Sequence, residues 1–269
     1  MYEMTDNVHQ ANDVPRNRLG LWLLIPLAMG VIALFVFSWK WKDSLKIHRV
    51  IVVGTHILKA QDVFGMANIS TNSPMYQDDI SGVVKRIGSQ PFVKSVLVNR
   101  QLPNAIRIEI VEREPIASLS NGQLQYVDTE GVLLPYNQSS VQFDLPMISG
   151  VRNLKNMMMG KTVENKDLTQ AIEVLRTALS IDSAVYHLIS EVKMGDEDNI
   201  VLYSSEGGVP INLGRGEIPR KLLTLQKFWN GFVKPGDADK LKYIDLRFDG
   251  QVVAKWNRDG ENVPRKYSL

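Results

Sequence analysis

The sequence of 269 residues has no cysteine and only four histidines. The absence of cysteine excludes a disulfide framework and a thiolate metal site, although it fits an exported protein and a cytosolic protein equally well. The histidines show no spacing that would bring two of them onto one metal ion, so we expect no metal and no cofactor. Their positions are His9, His48, His56 and His187.

A strong excess of one charge is also missing. The chain has 31 Lys and Arg against 29 Asp and Glu, which gives a formal net charge of +2. Such a balance provides no dense basic field, so we expect no nucleic-acid partner. The hydrophobic content of 44% is ordinary for a folded protein, and the length suits one large or two small domains.

One long hydrophobic run lies near the amino terminus. The 21 residues "LGLWLLIPLAMGVIALFVFSW" carry no charge and would span roughly 30 Å as a helix. The bulky end of this run lacks a small-residue cleavage site, so we interpret it as an uncleaved signal anchor. We predict a cytoplasmic tail over 1–18 and a transmembrane helix over 19–41. The lysines after the span favour the opposite orientation, but long domains translocate largely regardless of charge, so we place the large domain in the periplasm.

The stretch 45–114 has the pattern of a small α+β domain. "KIHRVIVVGTHIL" predicts a strand, two amphipathic helical stretches follow, and "FVKSVLVNR" and "AIRIEIVERE" predict two strands joined at a Leu-Pro-Asn turn. Ile106, Ile108 and Ile110 alternate with charged residues, so we expect the isoleucines to face the helices. Arg107 and Glu109 then lie on the solvent face, with weak ion pairing across strands.

Past Pro115 the sequence changes to short strands and turns with two amphipathic helices among them. We predict a mostly antiparallel β domain over 115–258 and a polar carboxy-terminal tail over 259–269. The apolar stripe of the first helix is Leu168, Ile172, Leu175 and Leu179, and that of the second is Ile218, Leu222, Leu225, Trp229 and Phe232.

Two short motifs invite an enzymatic interpretation. Ser190 and Lys193 have the spacing of the Ser-x-x-Lys of penicillin-binding proteins, but "HLISEVKM" alternates like a strand and the partner motifs of that family are absent. "NLGRGE" has two glycines before a helix but lacks the phosphate-loop lysine, so we interpret it as a turn with a helix cap. We therefore expect a binding protein, not an enzyme.

Four segments in this order resemble the FtsQ/DivIB family of bacterial cell-division proteins, which carry a POTRA domain just outside the membrane. They are "VIVVGTHILKAQDV", "QPFVKSVLVNRQLPNAIRIEIVEREPIA", "YVDTEGVLLP" and "LPMISG", all behind a single amino-terminal span. Phe92 and Leu102 stand where the family often has tryptophan. The resemblance implies an inner-membrane division scaffold at the septum, which helps assemble the machinery of septal peptidoglycan synthesis.

The resemblance also implies protein partners and a site for them. FtsB- and FtsL-type proteins, and other division proteins, are the expected partners, with no small-molecule substrate. A partner segment would add as a strand to the exposed last strand of the β domain, within "LRFDGQVVAKW". In that site Arg247 would pair with a partner carboxylate, Phe248 and Trp256 would be apolar anchors, Gly250 would permit close backbone approach, and Gln251 and Val252 would lie along the strand.

Three alternatives stay open from the sequence. The terminal hairpin could be ordinary, with its aromatic side chains packed inward. The chain could be a POTRA-containing adaptor for protein export or outer-membrane assembly, although strands for a membrane barrel are lacking. A wall-modifying enzyme is the third.

Overall fold

The structure, a computed structural model, describes residues 18–136, 141–154, 157–195, 199–257 and 264–268. Helix α1 (Arg18–Ser44) contains the predicted span. Its stretch Leu24–Trp41 has a mean hydropathy of 1.7 with none of it buried, so it is long and apolar enough to cross a membrane. The predicted cytoplasmic tail lies, apart from its last residue, outside the described residues.

A three-stranded sheet with two helices follows, in the predicted order β-α-α-β-β. The strand order is β1-β3-β2, with β1 parallel and β2 antiparallel to β3. The elements are β1 (Arg49–Val53), α2 (Ala60–Ala67), α3 (Ile80–Gly88), β2 (Val93–Gln101) and β3 (Ala105–Glu112).

The alternation in β3 sorts its residues as predicted. Ile106, Ile108 and Ile110 are buried in one cluster with residues of α2 and α3. On the other face Arg107 donates from Nε to Glu109 at 2.6 Å. This pair lies within one strand and not across two strands, because residues two apart share a face.

The second half of the chain forms one sheet of ten strands, ordered β13-β12-β11-β10-β9-β8-β7-β4-β5-β6. Six of its nine pairings are antiparallel, which confirms the predicted α+β class with a mostly antiparallel β domain. Its strands are β4 (Pro115–Ser120), β5 (Leu124–Asp128), β6 (Leu133–Pro135), β7 (Met147–Ser149), β8 (Ile189–Met194), β9 (Ile200–Ser204), β10 (Pro210–Asn212), β11 (Leu241–Asp245), β12 (Gln251–Trp256) and β13 (Arg265–Ser268). Its helices are α4 (Lys166–Ile181), α5 (Ser183–His187) and α6 (Ile218–Phe232).

The apolar stripes of α4 and α6 pack into the core of this domain, with one correction in each. Leu179 is 49% exposed, because the buried face of α4 is centred on Ala171, Leu175 and Ala178 and leaves Leu179 at its border. In α6 the missed Phe228 is fully buried, whereas Phe232 in the last turn is exposed.

The two domains meet at the charged residues that end β3. Arg113 is mostly buried and donates to Asp128 and Glu130, at 2.7 Å each, in the hairpin that joins β5 to β6. Lys94 of β2 contacts the same Glu130 at 2.7 Å. Lys94 and Arg113 hold the pKa of Glu130 down to about 2, so this carboxylate stays ionised at ordinary pH. The domain junction is therefore a network of ion pairs anchored on Arg113.

Candidate functional site

The candidate site lies at the hairpin formed by β11 and β12. Between these strands the chain turns at Phe248 to Gly250, where Gln251 donates its N–H to the carbonyl of Phe248 at 3.3 Å. Gly250 has φ +64, a backbone conformation that residues with a Cβ rarely adopt. A Cβ there would meet nothing within 4 Å, so the turn geometry is what requires this glycine within the chain. Close approach of a partner at Gly250 stays a prediction.

Arg247 already has a carboxylate partner inside the chain. Its Nε and Nη2 donate to Asp245 at 3.0 and 2.6 Å, and its backbone N–H donates to the same carboxylate at 3.0 Å. These hydrogen bonds raise the pKa of Arg247. Asp245 is buried, whereas the Arg247 side chain is 51% exposed. A partner carboxylate would therefore join Asp245 at this guanidinium or replace it.

Phe248 is the exposed apolar residue of the hairpin, with 55% of its surface open to solvent. It lines a cavity of about 210 Å³ together with Leu223 and cationic residues of α6. Arg220 of that helix contacts Asp249 of the turn. Arg220, Lys221 and Lys227 line the same cavity, so both apolar and cationic residues surround Phe248.

Trp256 and Val252 do not lie on the surface. They face inward from β12 with Ala254 and belong to the core of the domain, with Trp256 only 7% exposed. Trp256 is not accessible in this conformation, so its contact with a partner stays a prediction. The six predicted residues divide into an exposed group, which is Arg247, Phe248, Gly250 and Gln251, and a buried pair, which is Val252 and Trp256.

The expected exposed edge of β12 is covered by β13. This strand runs antiparallel to β12, with Val252 opposite Tyr267 and Val253 opposite Lys266. The predicted polar tail 259–269 therefore contains a strand, and 259–263 and 269 of it lie outside the described residues. A stretch of four residues with a single aromatic residue hardly predicts a strand. Tyr267 is the aromatic residue in it that favours one.

The residues of the two motifs with a possible enzymatic role form hydrogen bonds within the fold. Ser190 lies in β8, as predicted for a strand, and its hydroxyl donates to the carbonyl of Tyr203 at 3.1 Å. The carbonyls of Leu213 and Arg215 in the "NLGRGE" turn accept from the ammonium of Lys221 at 2.9 and 2.8 Å. Carbonyls that converge on a cation do not suit a phosphate. Within the described ranges, no group of three or more His, Asp or Glu could hold a metal ion.

Comparisons with known proteins match both domains. Residues 45–113 match the FtsQ-type POTRA domain, and residues 114–255 match the model described as FtsQ/DivIB, C-terminal related. "Cell division protein FtsQ" of Rhodothermus marinus is 26% identical over 258 residues, 92% of each chain. The protein of the same name from Salinibacter ruber is 28% identical over 85% of this chain and 90% of its own. That of Neisseria gonorrhoeae is 23% identical over 93% of this chain and 96% of its own. Both domains and nearly the whole length agree, and the chain therefore belongs to the FtsQ/DivIB family of cell division proteins.

Proposed function

We propose that this chain is a non-enzymatic scaffold of the division machinery, which binds FtsB- and FtsL-type proteins and helps assemble septal peptidoglycan synthesis. Its family and the apolar helix α1 fit a single-pass protein of the inner membrane. In this proposal the tail before α1 is cytoplasmic, the two domains are periplasmic, and the protein gathers at the septum.

The observation that carries the proposal is the exposed turn between β11 and β12. Phe248 and Arg247 lie beside β12, and a cavity lined by apolar and cationic residues lies on one side of Phe248. An extended partner segment would pair with β12 through backbone hydrogen bonds, which supply affinity without regard to sequence. Phe248 would contact an apolar partner residue, and Arg247 would bind a partner carboxylate.

Changing Phe248→Glu is expected to weaken binding of the FtsB-type protein of the same organism by about thirtyfold or more, which corresponds to about 2 kcal/mol. The exposed ring is replaced by a charge that must be desolvated against an apolar partner residue. Binding is measured by interferometry, with the full chain in detergent micelles.

Phe64→Glu is the matched control, because Phe64 is an exposed phenylalanine on α2 of the other domain. We expect this control to bind as the wild type does. Equal binding by Phe248→Glu and the wild type would overturn the proposed site.

A further inference from the structure

We propose that β13 is an internal competitor, which occupies the place on β12 where the partner strand binds and must leave before the partner pairs. This inference rests on the proposed function. β12 has two edges, and β11 holds one while β13 holds the other. Since each edge of a strand accepts only one neighbour, strand addition and the β12–β13 pairing exclude each other.

β13 places one aromatic side chain, Tyr267, among the aromatic residues of the domain. The ring of Tyr267 lies 5.1 Å from that of Phe228 and 4.8 Å from that of Phe232, measured between centroids. Trp256 donates from Nε1 to the Tyr267 hydroxyl at 3.2 Å. We call Phe228, Phe232 and Trp256 the aromatic seat. A partner strand with an aromatic residue opposite Val252 would fill it in the same way.

β13 is short and mostly exposed to solvent. Tyr267 is its partly buried residue, whereas Arg265, Lys266 and Ser268 are exposed. The outward face of the pair is also mismatched in charge, because Lys266 lies opposite Val253 and diagonal to Lys255. Two lysines at diagonal positions repel each other weakly. A partner segment with a carboxylate at the position of Lys266 would fit this face better, so we assign an acidic and aromatic extended segment as the occupant.

A disulfide between β12 and β13 tests the exchange directly. Val253 and Lys266 lie opposite each other on the outward face, and the chain has no cysteine of its own. The double variant Val253→Cys/Lys266→Cys is compared, oxidised and reduced, for binding of the FtsB-type protein. We expect oxidation to weaken binding about tenfold or more. The disulfide holds β13 on β12, so the state in which β13 has left and the partner can pair is no longer populated.

A second disulfide in the same sheet is the matched control. Lys193 and Val201 are opposite each other in β8 and β9, so Lys193→Cys/Val201→Cys crosslinks a pair outside the proposed exchange. We expect its binding to be equal in both redox states. Equal binding by the oxidised and reduced β12–β13 variant would overturn the inference.

Weakening β13 provides the opposite test. Tyr267→Ala removes its anchor, so we expect the partner Kd to fall severalfold, while Ser268→Ala leaves it unchanged. A fluorescent peptide of residues 257–269 is added in trans to the same full-length chains. We expect it to bind Tyr267→Ala more tightly than the wild type and to be excluded by the oxidised disulfide. No binding of this peptide to Tyr267→Ala would also overturn the inference.

These experiments distinguish failure of the proposed function from failure of the proposed competition by β13. If the FtsB-type protein binds no form of the chain, the proposed function fails, and the peptide still reports whether β13 is exchangeable. If the partner binds and oxidation or loss of Tyr267 changes nothing, the proposed function stands and the competition fails.

Discussion

Replacing Trp256 with alanine is expected to lower the free energy of unfolding by about 3–5 kcal/mol. The side chain is buried in the core of the β domain and donates a hydrogen bond to Tyr267. Its removal leaves a cavity beneath β13 and takes away the donor that faces the Tyr267 hydroxyl. Urea denaturation of the full chain in detergent, followed by far-UV circular dichroism, measures the loss.

Trp256→Phe is the matched control for this prediction. It keeps most of the ring volume and removes the indole N–H, so we expect a loss of about 1 kcal/mol. A loss below about 1 kcal/mol for Trp256→Ala would contradict the buried position. If Trp256→Ala bound the partner less well, unfolding of the domain would explain the defect as well as a lost contact with the partner. Phe248→Glu is therefore the better test of the proposed binding surface.

Replacing Glu112 with alanine is expected to lower the free energy of unfolding by about 3 kcal/mol. The Glu112 carboxylate, at the end of β3, accepts three backbone N–H groups, from His56, Ile57 and Leu58, at 2.8, 2.7 and 2.8 Å. Hydrogen bonds to a charged acceptor are stronger than neutral ones, and without it the three donors lose their partner together. The loop after β1 would then detach from β3.

Glu114→Ala serves as the control, two residues away and exposed. We expect it to change stability by less than about 0.5 kcal/mol. Thermal and urea unfolding of the two variants give the comparison. Equal stabilities would show that the three backbone hydrogen bonds contribute nothing to the fold, contrary to this account.

The POTRA domain was predictable because its signals are local. The strict alternation of Ile106, Ile108 and Ile110 specifies the buried face of β3, since a shift of one residue would expose all three. The sequence predicts the domain boundary between residues 114 and 115, but it does not predict the ion pairs of Arg113 at that boundary. Asp128 and Glu130 reach Arg113 through the tertiary fold, and nothing in the spacing of these residues predicts that contact.

The candidate site was predictable only in part. Alternation within β12 places Val252, Ala254 and Trp256 on one face, so the inward position of Trp256 follows from the same rule that placed the isoleucines. The surface position of Trp256 is implied by the resemblance alone. The sequence does not predict β13, because a short polar strand forms mainly through pairing with its neighbour β12. The strand propensity of its own residues contributes little.

Hydrogen–deuterium exchange of the full chain, with and without the FtsB-type protein, tests the central claim most directly. The claim is that a partner strand pairs with β12 in place of β13. We predict that the amides of 251–256 stay protected in the complex while those of 265–268 exchange faster than in the free chain. Unchanged protection of 265–268 in a saturated complex would contradict the claim.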